Sequence, residues 1–188
     1  IILKMELHNV EQRSKEWFDL RLGKVGGSEA ISLTTPARMK NLVNVKLAEI
    51  LTGQAEQVFV NDAMQYGIDT EPIVVSLYEK EQFISTPEIG GVSTKDYPRA
   101  FLSPDRLVGN NGALEIKCPQ PKSYIDMVLN AYDETKKGFN KIPSVYRPQL
   151  GSYFLMMPNL EWVDFVAYNE FVSLKAMLII RVNRLDAD

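Results

Sequence analysis

Cysteine and histidine are almost absent from this chain of 188 residues: Cys118 and His8 are the only ones. A lone cysteine excludes an intrachain disulfide framework and any four-cysteine zinc or iron–sulfur site. A lone histidine excludes a His-rich metal centre and argues against a Ser/His/Asp or Cys/His nucleophilic triad. No apolar run approaches the ~18–20 residues of a membrane span, and no signal-peptide pattern opens the chain, so a reduced, cytoplasmic protein without a membrane partner is expected. Internal repeats, low-complexity tracts and Pro/Gly/Ser-rich linkers are missing as well, which points to one domain over residues 1–188. A basic surplus is lacking too, with 21 Lys and Arg against 24 Asp and Glu and a net charge of −3. Taken alone, that balance speaks against a nucleic-acid binder.

The charges are unevenly spread, however. Residues 13–47 carry seven basic groups against three acids, and residues 105–150 carry seven against five, whereas residues 48–104 hold nine acids against three bases. The basic groups thus concentrate in two stretches that a fold can bring together; solvated helix faces are the plain alternative. Apolar content of 45% and charged content of 24% are those of a globular chain, which excludes disorder as the bulk state.

Periodicity and punctuation predict helices over 14–22, from Ser28 onward, over 39–52 with Gly53 as the stop, and over 61–82 from an Asn61 cap, the last kinked or divided at Gly67 and Pro72. Short strands are predicted at 91–95, 99–108 and 113–118, the latter two joined by Gly109-Asn110-Asn111-Gly112, which is hairpin chemistry. Helices over 122–134 and 143–157 follow, the second interrupted at Pro148, and then apolar strands over 161–169 and 176–183. The order implies an α/β fold with a mixed central sheet flanked by helices.

The second arm of the hairpin alternates Leu114 and Ile116 with Glu115 and Lys117, so the two charged groups share a strand face. Asp105, on the first arm after Ser103-Pro104, comes opposite Glu115. Two carboxylates and an ammonium at one spot suit a hard divalent cation and metal-assisted hydrolysis of a phosphodiester. By spacing alone, a surface ion-pair cluster is the more ordinary account of such a trio.

Ser103-Pro104-Asp105 followed by Leu114-Glu115-Ile116-Lys117-Cys118-Pro119 resembles the Asp…Glu-x-Lys signature of PD-(D/E)XK nucleases, most closely the phage lambda exonuclease and YqaJ viral recombinase family. Further motifs agree in order: Trp17 with Arg21-Leu22-Gly23 and Ser28-Glu29, Gln65-Tyr66-Gly67 through Glu71, and Pro148-Gln149-Leu150. The resemblance implies a restriction-endonuclease-like core, with Asp105, Glu115, the Ile116 carbonyl and Glu71 around Mg2+ (Mn2+ substituting). It implies Lys117 as the catalytic lysine and Gln149 as a holder of the water or scissile phosphate. Arg21, Ser28 and Ser103 match positions that bind a 5′-terminal phosphate, and Trp17 lies beside them as core or stacking group.

The implied activity is a 5′→3′ exonuclease acting on ends of linear double-stranded DNA, leaving 3′ tails for a single-strand annealing protein, from a homo-oligomer such as a ring-shaped trimer. An endonuclease or nickase, and a non-catalytic DNA-binding protein of the same fold, stay open as alternatives. Two departures stand out: Arg106 where the family often has glycine, and Gly26-Gly27 where it has a Thr-Ala type of pair.

Overall fold

The computed structural model describes residues 5–56 and 59–186. Its helices are α1 (Lys15–Arg21), α2 (Pro36–Thr52), α3 (Asp62–Gln82), α4 (Pro121–Tyr132) and α5 (Arg147–Met156). Its strands are β1 (Met5–His8), β2 (Val25–Gly26), β3 (Gly91–Thr94), β4 (Ala100–Phe101), β5 (Arg106–Val108), β6 (Gly112–Lys117), β7 (Trp162–Tyr168) and β8 (Met177–Asn183). They fall into two compact units, each drawn from three stretches of chain. One takes residues 1–58, 89–104 and 145–159; the other takes 59–88, 105–144 and 160–188.

In the first unit β1 runs antiparallel to β3 and β2 parallel to β4. Helix α1 begins where the Ser14 hydroxyl accepts the Trp17 N–H at 3.2 Å, and it stops before Gly23, which sits at φ 68°. Helix α2 starts earlier than the 39–52 pattern suggests, because Pro36 suits a first turn that has no use for its N–H, and it ends at Gly53 with φ 67°. Between them, the segment expected to be a helix from Ser28 is a 3-10 helix spanning Gly27–Thr34. Helix α5 packs on that segment. It starts at Arg147, with Pro148 in its first turn, so Pro148 opens the helix; the expected start at residue 143 was too early.

The second unit is built on a four-stranded sheet in the order β5-β6-β7-β8. Its β6–β7 pair is parallel and the outer pairs are antiparallel, which makes it a mixed sheet. Leu114, Ile116 and Val166 form one face and pack with Val74, Val75 and Tyr78 of α3. Helix α3 runs unbroken through Gly67 and Pro72, contrary to expectation. A proline forfeits a helical hydrogen bond, but the buried faces of Val74, Val75 and Tyr78 just beyond it hold the axis against the sheet.

The opposite face of the sheet is buried too: Ala113, Glu115, Val163, Phe165 and Ala167 are all inaccessible. Burial on both faces follows from the parallel pairing at the middle of the sheet. The stretch read as one strand over 99–108 divides into β4 and β5, because the chain leaves the first unit at Pro104 and enters the second at Asp105.

Candidate active site

The hairpin register sets the central constellation. Arg106 pairs with Leu114, which puts position 105 opposite 115. Asp105 Oδ2 accepts the Ile116 N–H at 2.6 Å, while the Ile116 side chain enters the core. Two residues along β6, on one strand face, Lys117 Nζ donates to Glu115 Oε1 at 2.5 Å. Glu115 is 1% exposed, so this ammonium is the counter-charge of a buried carboxylate and not part of a solvated surface cluster.

Electrostatics places Glu71 of α3 at the same spot. The Asp105 carboxyl is held well above the usual carboxylate range, first by burial and then by the negative charge of Glu115. Lys117 opposes that shift, Glu71 adds to it, and the Ile116 N–H opposes it. The Cys118 thiol is pushed up to about 11 by burial, followed by the charges of Glu71 and Asp105, with Lys117 pulling the other way. Glu71, Asp105, Glu115 and Lys117 therefore sense one another within the second unit.

The donor set fits a hard cation. It is all oxygen, the neighbouring Cys118 thiol stays protonated, and Glu115 and Glu71 raise the cost of ionising Asp105, which a divalent cation offsets. Among the described residues no three His, Cys, Asp or Glu side chains are gathered as a metal cage. Each carboxylate has instead an internal partner. Asp105 has the Ile116 N–H, Glu115 has Lys117, and Glu71 Oε1 lies 3.6 Å from Arg106 Nη1.

The first unit holds the remaining residues. Trp17 is buried in its core and donates Nε1–H to the Gly90 carbonyl at 2.8 Å and to Ser103 Oγ at 3.1 Å. The Arg21 guanidinium stacks on the Trp17 ring at 4.2 Å from its centroid. Burial lowers the Arg21 pKa, with Glu29 and Glu49 opposing, yet guanidinium stays charged. Among the described residues no carboxylate lies within 4.0 Å ion-pair reach of Arg21. Trp17 is thus the platform that positions Arg21 and Ser103.

Ser28 is exposed in the first turn of the 3-10 helix, one residue after its start, and the Gly26 N–H at that end is taken by Glu29 Oε2 at 2.7 Å. The helix end beside Ser28 therefore already carries one internal carboxylate.

The two glycines before Ser28 are close-approach positions. A Cβ on Gly26 meets Arg21 Nη2 at 2.7 Å, and one on Gly27 meets Leu102 Cδ1 at 2.9 Å, Ser152 Oγ at 3.2 Å and Gln149 Cγ at 3.7 Å. Gln149 of α5 thereby lies against the segment that carries Ser28. Sequence reading saw the glycine pair only as a departure, since the bulk it makes room for comes from residues 21, 102, 149 and 152. The acidic cradle around Arg21 was also missed: Glu49 is buried, accepts the Gly23 N–H at 2.9 Å and pairs with Lys46, whose Nζ lies 2.9 Å from Glu29. Its one visible signal was the i,i+3 spacing of Lys46 and Glu49.

A family model described as the YqaJ-like viral recombinase domain matches residues 16–156. The chain belongs to that family. No curated protein matches this YqaJ-like domain. Among solved structures, the alkaline exonuclease LHK-Exo from Laribacter hongkongensis aligns with a TM-score of 0.80 at 29% identity, covering 93% of this chain and 84% of that one. The same enzyme in complex with dAMP gives 0.79 at 29% identity, with the same shares covered. A phage related exonuclease from Haemophilus somnus 129PT gives 0.59 at 13% identity over 86% and 84% of the two chains, a likeness of fold. The YqaJ-like domain thus has the mixed α/β fold of the PD-(D/E)XK nucleases. The matched span contains every candidate position from Trp17 to Gln149.

Proposed function

We propose that this YqaJ-like domain is a Mg2+-dependent 5′→3′ exonuclease that degrades one strand of linear double-stranded DNA and leaves 3′ single-stranded tails. A nuclease role in recombination is the coarser reading that family membership and the likeness to an alkaline exonuclease support. The observation that carries the finer one is the Asp105–Glu115–Lys117 constellation on a single hairpin, with Glu71 charged toward it.

Asp105, Glu115, the Ile116 carbonyl and Glu71 are the groups that would hold the cation. When bound, Mg2+ or Mn2+ supplies Lewis-acid charge for the phosphate oxygens. Lys117, released from Glu115, orients the attacking water and offsets charge on the phosphate, the water's proton passing to solvent; Gln149 offers an amide to the water or the scissile phosphate. In the first unit, Arg21, held flat on Trp17, presents a planar fork of donors suited to a terminal phosphate, with the Ser103 and Ser28 hydroxyls as further partners. The products suit a single-strand annealing protein as partner, and a homo-oligomer such as a ring-shaped trimer accords with action on ends.

The test is digestion of linear duplexes bearing 5′-phosphate or 5′-hydroxyl ends in Mg2+, beside a covalently closed circle. Expected are faster loss of the 5′-phosphorylated strand, an intact circle, and a drop of about 100-fold or more for Lys117→Ala. Rapid cutting of the circle, or full activity in Lys117→Ala, refutes the proposal.

A further inference from the structure

Arg106 stands next to Asp105 as the first residue of β5, and its guanidinium is divided between two acids. Nη1 lies 3.6 Å from Glu71 Oε1 and Nη2 lies 3.7 Å from Glu88 Oε2. Both separations exceed the ~3.2 Å limit of a good N–H···O bond, so the fork is shared and committed to neither carboxylate. Nη1 also donates to the Asp105 carbonyl at 2.5 Å, which anchors the group at this position. The Arg106 side chain is 13% exposed, Glu71 26% and Glu88 50%. One acid therefore faces the proposed cation site, where it bears on Asp105 and Cys118, and the other faces water.

We propose that Arg106 is an internal counter-ion that competes with the divalent cation for Glu71, and that Glu88 is the seat to which its guanidinium withdraws when the cation binds. The inference rests on the reading of Glu71 as part of the cation site. A carboxylate neutralised by a guanidinium is a weaker ligand, and the two cations repel each other across it. Asp105 is held by a backbone N–H, and Glu115 by the lysine that the chemistry itself needs. Arg106 alone has no part in the proposed hydrolysis, so its charge acts on how readily the cation is taken up. It is a positioning residue that sets the cation concentration at which the site fills.

Mn2+ binding to the DNA-free protein, followed by calorimetry or by loss of the free-ion paramagnetic resonance signal, tests this without reference to turnover. Arg106→Gln is expected to bind Mn2+ about tenfold more tightly than the native chain, a change of ~1.4 kcal/mol. Glu88→Gln, which leaves the guanidinium to Glu71, is expected to bind about threefold or more weakly, and Arg106→Lys to fall between native and Arg106→Gln. The deciding comparison is Arg106→Gln/Glu88→Gln. If Glu88 acts through Arg106, the double variant binds like Arg106→Gln alone; additive effects, which a long-range field produces, overturn the inference. Native-like affinity in a folded Arg106→Gln protein, or in Arg106→Lys should the former not fold, overturns it while leaving the cation site standing. Absence of Mn2+ binding in the native chain overturns both.

Discussion

Gly26 illustrates how a residue without a side chain controls one that has a long one. The Arg21 guanidinium occupies the space of the missing Cβ, with Nη2 2.7 Å from where it would be. Gly26→Ala is expected to swing Arg21 off the Trp17 ring, while the Lys117–Glu115 pair of the other unit is left alone. The rate ratio for 5′-phosphorylated over 5′-hydroxyl duplex then falls toward one, mostly through KM, which end-labelled substrates measure directly. A ratio unchanged by Gly26→Ala separates Arg21 from end recognition. Asp105 carries a different trade. Its carboxyl is buried among other acids, and that costs stability whenever it is ionised without a cation. Asp105→Asn removes the charge and keeps an oxygen acceptor for the Ile116 N–H. It is expected to lower cleavage by about 1,000-fold or more, yet to melt no lower than the native protein in calorimetry without divalent cations. A lower melting temperature contradicts this.

At the level of elements, β7 depends on a buried charge. Asp164 is fully buried, takes both Arg181 Nε and Nη2 at 2.8 Å, and accepts the Tyr78 hydroxyl at 2.6 Å. It ties α3, β7 and β8 together behind the hairpin. Asp164→Ala leaves the Tyr78 hydroxyl without its acceptor and should cost about 2–4 kcal/mol in denaturant unfolding; Tyr78→Phe should cost about 1 kcal/mol. The turn after α3 offers a pH handle. Glu79 accepts the Thr86 N–H at 2.5 Å and its hydroxyl at 2.8 Å, bonds that hold its carboxyl below the ordinary range. A carboxyl depressed in the folded state stabilises above its unfolded pKa of ~4.3 and loses that contribution as pH falls through the folded value. The stabilisation, at most about 1 kcal/mol for a part-buried surface group screened by solvent, is full at neutral pH. Comparison of Glu79→Gln with the native chain should thus show a gap at pH 7 that closes toward pH 3.

Much of this was legible. Ser14 and Asn61 as caps, Gly23 and Gly53 as stops, and the hairpin around Asn110-Asn111 are local signals, and α1, α2, α3 and β5–β6 formed near where those signals lay. What was hidden is what distant chain decides. Gly112 reads as turn chemistry, yet it opens β6 against the Trp162 indole, which fills the space where a Cβ would stand. Pro72 reads as a break, and only the packing of Val74, Val75 and Tyr78 on the sheet shows why it is not. Asp105, Glu115 and Lys117 were findable because a two-residue period and one turn join them. The split loyalty of Arg106 was not, since Glu71 and Glu88 reach it from two other segments.

For the molecule as a whole, a net charge of −3 did not exclude DNA, because nine of the 24 acids lie in residues 48–104, while the basic groups concentrate on either side. Duplex binding in Ca2+ or without divalent cations is expected to weaken at least tenfold between about 50 and 200 mM salt, as phosphate contacts of several Lys and Arg require. Fluorescence anisotropy that stays flat over that range argues against the assignment. The interleaving of the two units also has a bearing on biosynthesis. The hairpin ends at Lys117, but β7, the parallel neighbour of β6, begins 45 residues later at Trp162, and β8 ends at Asn183. At ~5–20 residues per second, a ribosome supplies Lys117 seconds before the strands that complete its sheet. On the proposed reading, a nascent chain that stops before β7 and β8 carries Asp105, Glu115 and Lys117 on a hairpin without the sheet that buries them, and is catalytically mute.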